Sequence, residues 1–229
     1  MMKLPKPHAI LFDWDNTLVD TWPTIHAALN MTMRHMQHPE WSLEQVKGNV
    51  KKSMRDAFPE LFGARWQEAA THYQQSYRSL HLQQLKPLPQ AEQTLALLRN
   101  YPVFVGLVSN KKGDTLRLEA AHLGWDKYFD VAIGAGDAAR DKPSADPALL
   151  ALTAYTGVRA ESVWFVGDTG VDLECAHAIG ATAVLFGDHA PEGMMHDGFG
   201  FTAHVLDHAA FAQLFLAAIG AGSPAHAHG

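Results

Sequence analysis

The chain reads as an α/β protein, a doubly wound, mostly parallel sheet with a second, all-helical domain inserted after the first strand. Three observations predict this. The continuous apolar run Ala9-Ile-Leu-Phe12 has the form of a strand covered on both faces. Helical patterning then fills Val19 to Leu85 with no strand signal. From Pro87-Leu-Pro89 onward strands and helices alternate, the pattern of parallel strands joined by right-handed crossovers.

Taken in order, the first strand runs into Asp13-Trp-Asp15-Asn-Thr17. Thr21 before Trp22-Pro23 has the form of an N-cap with proline in the first turn, and Ile25, Leu29, Thr32, Met33 and Met36 mark one face of a helix that stops before Pro39. Ser42-Leu-Glu-Gln45 has the capping-box form of a second helix. Trp66, Ala69, Ala70, Tyr73 and Tyr77 share a face of a third, from Ala64 to Leu82. Trp22, Met33, Met36 and Trp66 are expected to form this domain's own small core. The alternating half follows as helix 90–100, strand 103–108, helix 115–123, strand 131–133, helix 147–155, strand 163–166, helix 171–179, strand 182–186, a glycine-rich loop, strand 203–206 and helix 209–219. The predicted core domain is thus 1–18 with 86–222, the insertion is 19–85, and 223–229, with His226 and His228, is a disordered tail.

A length of 229 residues is ample for a core plus an insertion. The net charge of −6, with basic residues scattered, leaves no footprint for nucleic acid. One cysteine, Cys175, excludes an internal disulfide and suits a reducing compartment. Prolines interrupt the first seven residues where a signal peptide needs an apolar stretch, and the apolar run from Ala209 to Gly222 is shorter than the ~20 residues that span a bilayer. A cytoplasmic protein with no membrane partner is the expectation; the oligomeric state is open.

Two carboxylates within two residues, Asp13 and Asp15, are unsuited to an apolar core and call for a cation or a catalytic task. Three later segments answer in fixed order: Ser109-Asn110 after the strand ending at Val108, then Lys142-Pro143, then Gly167-Asp168-Thr-Gly-Val-Asp172 after the strand ending at Val166. Together the DxDxT, strand-terminal Ser, Lys-Pro and GDxxxD elements resemble the haloacid dehalogenase (HAD) superfamily, specifically its phosphatases of the phosphoglycolate phosphatase type, over Ala9 to Phe186.

The resemblance implies a Rossmann-like core, a helical cap formed by the insertion, and Mg2+-dependent hydrolysis of a small phosphorylated metabolite through an aspartyl-phosphate. Asp13 would be the nucleophile. Asp15 would protonate the leaving oxygen and later activate water. Asp13, Asp168 and the Asp15 backbone carbonyl would hold the ion. Asp172, one helical turn past Asp168, is either a direct ligand, a ligand through water, or an acid satisfying the helix N-terminus. Ser109 and the N–H of Asn110 would hold the phosphoryl group, Thr17 would orient the turn, and Lys142 would sit as a point charge between nucleophile and phosphoryl. An acid at Asp15 separates phosphoryl transfer from dehalogenation.

Asn16 stands where the family commonly has glycine, a position asparagine tolerates in left-handed backbone. Trp14 is bulkier than the leucine often seen in the family, with its indole facing either the entrance or the sheet. In the insertion, Lys51, Lys52 and Arg55 are candidates for an anionic substrate group or form a solvated helix face. Gly134-Ala-Gly-Asp137 lacks a full dinucleotide fingerprint and reads as a loop. Cys175 reads as a small packing residue. Two alternatives stand beside the phosphatase: a phosphomutase that returns the phosphoryl to a sugar hydroxyl, and a non-catalytic metabolite-binding module.

Overall fold

The computed structural model describes residues 4–49, 54–155, 157, 159–188 and 200–220. In chain order the elements are β1 (Ala9–Phe12), β2 (Val19–Asp20), α1 (Trp22–His35), α2 (Leu43–Asn49), α3 (Met54–Phe62), α4 (Trp66–Gln84), β3 (Lys86–Pro87), α5 (Ala91–Leu98), β4 (Phe104–Lys112), α6 (Gly113–His122), β5 (Val131–Ala135), α7 (Asp146–Leu152), β6 (Val163–Gly167), α8 (Gly170–Ala178), β7 (Thr182–Phe186), β8 (Ala203–Val205) and α9 (His208–Ile219). They fall into two compact units, Met1–Val19 with Pro87–Gly229, and Asp20–Lys86.

The first unit holds a six-stranded sheet in the order β5-β4-β1-β6-β7-β8, with every described pair parallel. The strands after β1 build outward through β4 and β5, then the chain returns to β1's other edge with β6. That reversal beside β1 is the switch point where an open α/β sheet leaves a crevice at its carboxyl ends. β1 is wholly buried because helices cover both faces. On one face Leu11, Val108, Phe165 and Leu185 pack with Ala148, Ala151, Leu173 and Ala176 from α7 and α8. On the other, Phe12 meets Phe211 of α9 edge to face at 5.3 Å. Cutting Phe211 to alanine should cost about 3–5 kcal/mol, a large share of a typical domain's stability.

The second unit is helical. Leu29, Met33 and Met36 of α1 cluster with Val46, Phe58, Phe62 and Ala69, and Trp22 and Trp66 pack against them. The capping box at Ser42 forms: the Gln45 N–H donates to Ser42 Oγ at 3.2 Å and the Ser42 N–H to Gln45 Oε1 at 2.8 Å. Two features differ from the sequence expectation. Helix α3 carries Pro59 inside it, which hid its periodicity. The two-residue strands β2 and β3 pair where the chain passes between the units, too short to leave an alternating pattern. A third difference lies in the core: Gly134 and Ala135 belong to β5 and are not loop, and the Gly134 N–H donates to Asp137 Oδ2 at 2.8 Å. The predicted tail, 223–229, lies outside the described residues.

Candidate active site

Three neighbouring strands bring the scattered polar residues together. Phe12 is in register with Leu107 of β4 and Val166 of β6, so Asp13, Ser109 and Asp168 emerge within one residue of the same level. The Asp13 N–H donates to the Val166 carbonyl at 2.9 Å, which ties the acid to the end of β6. Asp172 is the third residue of α8, and its Oδ2 accepts from the N–H and hydroxyl of Thr169 at 3.0 and 2.7 Å. Its other oxygen, Oδ1, accepts from Lys142 Nζ at 2.6 Å. Gly167 permits this approach, since a Cβ there would lie 2.3 Å from the Asp172 carboxyl carbon.

Lys142 Nζ also donates to Asp13 Oδ1 at 2.7 Å. Its side chain is 3 % exposed, and burying an ammonium is unfavourable unless carboxylates face it. Burial opposes its charge, but Asp13 and Asp172 outweigh burial and hold its pKa above the ordinary lysine value. Asp13, Asp168 and Asp172 each present an oxygen within 4.8 Å of one another. Burial pushes the Asp13 carboxyl up to about 6; Lys142 pulls it down, and Asp172 and Asp15 push it up. Burial, then Asp172 and Asp13, hold Asp168 well above the usual carboxylate range. Three converging acids against one ammonium form an all-oxygen set suited to a hard divalent cation, which would offset the burial and the repulsion that together raise these two pKa values.

The turn after β1 carries Asp15. Asn16 lies at φ 58°, and its N–H donates to the Val19 carbonyl at 2.7 Å, so asparagine fills the left-handed position as expected. Asp15 Oδ1 forms an ion pair with Lys111 Nζ at 2.7 Å, and Lys111 Nζ donates to Glu119 Oε2 at 2.6 Å. Trp14 is fully buried, donates from Nε1 to the same Glu119 oxygen at 2.6 Å, and lies edge to face with Trp125. Lys111 and Glu119 were not legible in the sequence: Lys111 follows Ser109-Asn110 in a stretch with the form of a loop, and Glu119 belongs to no motif.

Asn110 uses its side chain on Lys142: Oδ1 accepts from the Lys142 N–H and Nδ2 donates to the Lys142 carbonyl, both at 2.9 Å. Ser109 is 3 % exposed, and its Oγ accepts from the Lys111 N–H at 3.3 Å. Thr17 Oγ1 donates to Asp168 Oδ1 at 3.4 Å, and the Thr17 carbonyl faces His208 Nε2 at 2.9 Å. Cys175 is buried with its Sγ directed at the Ser144 carbonyl, and burial pushes its thiol up to about 12, so it stays protonated in the packing. Lys51, Lys52 and the side chain of Arg55 lie outside the described residues.

Carboxylates thus gather at the switch point of a parallel α/β sheet, the place where such folds carry their sites. The chain belongs to the haloacid dehalogenase-like hydrolase family, whose model matches residues 10–186. It is 27 % identical over 195 residues to a phosphoglycolate phosphatase of Chromobacterium violaceum, covering 81 % of this chain and 87 % of that one. A phosphoglycolate phosphatase of Xanthomonas campestris pv. campestris is 31 % identical over 182 residues, covering 78 % of this chain and 82 % of the relative. A HAD-superfamily hydrolase of Ehrlichia chaffeensis superposes with a TM-score of 0.66 at 26 % identity, covering 94 % of this chain and 99 % of that one. Within the family the chain is a phosphatase. Among the described residues no helix is long and apolar enough to cross a membrane.

Proposed function

We propose that the protein is a Mg2+-dependent phosphatase that hydrolyses a small phosphorylated metabolite, a phosphoglycolate-like or sugar-phosphate monoester, through an aspartyl-phosphate, with Asp20–Lys86 as its cap. The observation that carries this reading is the convergence of Asp13, Lys142, Asp168 and Asp172 from three separate chain segments. A purely structural ion pair would need one acid opposite one base, not three carboxylates opposite one lysine.

In this reading an Asp13 carboxylate oxygen attacks phosphorus. The ester oxygen departs and takes a proton from Asp15, leaving the phosphoryl on Asp13. Asp15, now ionised, takes a proton from water as its oxygen attacks phosphorus, and the Asp13 carboxylate is released. Ser109 and the Asn110 N–H hold the phosphoryl oxygens, and Lys142 offsets charge beside the nucleophile. Asp13, Asp168 and the Asp15 carbonyl would hold the ion, with Asp172 fixed by Thr169 and Lys142 at its edge. A bound Mg2+ supplies charge neutralisation at the phosphoryl oxygens.

The test is a screen of phosphorylated metabolites for phosphate release. Support would be turnover that requires Mg2+ and disappears in Asp13→Asn. Turnover unchanged by that substitution, or none on any ester, would remove the reading.

A further inference from the structure

Lys111, Glu119 and Trp14 form an arrangement that the mechanism above leaves unused. Lys111 Nζ lies between Asp15 Oδ1 at 2.7 Å and Glu119 Oε2 at 2.6 Å, and the lysine side chain is 6 % exposed. Glu119 is wholly buried, and the same oxygen accepts from Trp14 Nε1 at 2.6 Å. Trp14 is the residue next to Asp15 in the chain. The contacts therefore close a ring: the Asp15 side chain reaches Glu119 through Lys111, and its backbone reaches the same glutamate oxygen through the neighbouring indole.

A buried acid–base pair of this kind is unfavourable relative to an apolar packing of the same volume, so stability alone is a weak reason for it. Its consequence is orientational. Asp15 Oδ1 is turned inward and buried, while 29 % of the side chain stays exposed on the remaining atoms. The Lys111–Asp15 contact is an ion pair outside hydrogen-bond angles, whereas the Lys111–Glu119 and Trp14–Glu119 contacts are hydrogen bonds. Glu119 thus fixes the ammonium, and the ammonium holds one oxygen of Asp15 by charge, leaving the other side of that carboxylate open.

The geometry points to Lys111 as a positioning residue for Asp15, with Glu119 as its anchor: the pair aims the Asp15 carboxylate at the leaving oxygen in the step proposed above. The inference rests on the phosphatase reading and on Asp15 as its acid.

The experiment compares two probes of similar shape in the full chain with Mg2+: phenyl phosphate, whose departing phenoxide needs a proton, and dinitrophenyl phosphate, whose departing group does not. First-turnover release of the phenol is read by rapid quench. Lys111→Met should slow release from phenyl phosphate by about ten- to a hundredfold and from dinitrophenyl phosphate by less than about threefold, as loss of acid catalysis does. Glu119→Gln should shift the ratio the same way by a smaller factor, and Lys111→Arg should recover most of the loss on phenyl phosphate. Should Lys111→Met fail to fold, Glu119→Gln, which keeps the side chain's shape, carries the comparison.

Equal slowing on both esters, or none on either, would overturn the positioning role while leaving the phosphatase reading in place. An unmodified protein inactive on both aryl esters and on every phosphorylated metabolite of the screen would overturn that reading, and the positioning role with it.

Discussion

Asn110 holds Lys142 by its peptide group, accepting from the lysine N–H and donating to its carbonyl at 2.9 Å each, across 32 residues of sequence. The two residues stand on different segments, one on β4 and one in the loop before α7. Through this clamp the strand fixes where the lysine backbone starts, and hence where Nζ meets Asp13 and Asp172.

Replacing Asn110 with alanine should remove both bonds and leave two backbone groups to find other partners. The expected loss is about 2 kcal/mol of stability, at roughly 1 kcal/mol per net hydrogen bond, read as a lower urea midpoint. Turnover should fall by about tenfold or more, since Nζ would no longer be held between the two carboxylates.

The acid cluster gives the metal-free protein an unusual pH response. The Asp13 pKa is raised from 3.8 to about 6, so between those values the native state binds more protons than the unfolded chain. Stability must then fall as pH rises through that window, by on the order of 3 kcal/mol at most for this one group. A divalent cation competes with those protons. Added Mg2+ should raise the melting temperature markedly at pH 7.5 and little at pH 5, and Asp168→Asn should abolish most of the rise. Differential scanning fluorimetry across pH, with and without Mg2+, checks both statements.

His208 should act in the opposite direction. Its Nε2 faces the Thr17 carbonyl, and burial lowers its pKa from 6.5 to about 4. The unfolded chain therefore takes up the proton first as pH falls, so this residue's contribution to stability is complete above 6.5 and is lost on descending towards 4. Between pH 7.5 and 5 the loss amounts to about 2 kcal/mol. Urea melts of the unmodified protein and His208→Gln at both pH values should differ by that amount in their pH dependence.

How much of this was legible beforehand depended on the kind of signal. β1 and β7 read true because short, fully apolar strands cannot be exposed without cost; Asp13 and Asp168 stood out because charges beside such strands are rare, and Lys142 because Lys-Pro completes the ordered series between them. β4 ran longer than expected: its apolar run stops at Val108, but the strand continues through Ser109, Asn110 and Lys111 to Lys112, which the polar composition disguised. The Lys111–Glu119 pair was hidden for a related reason. Each residue looks solvated in its own segment, and only the meeting of β4 and α6 beside Trp14 buries both. The Asn110 clamp was missed because the sequence suggested a role for its backbone N–H and none for its amide side chain.

The central claim is that Asp13 becomes phosphorylated, and the most direct measurement is mass spectrometry of peptides from protein quenched in acid during turnover of a phosphate ester with Mg2+. The account predicts a phosphoryl adduct on the peptide containing Asp13, absent from Asp13→Asn. An adduct on another residue, or full turnover in Asp13→Asn with no adduct at all, would contradict it.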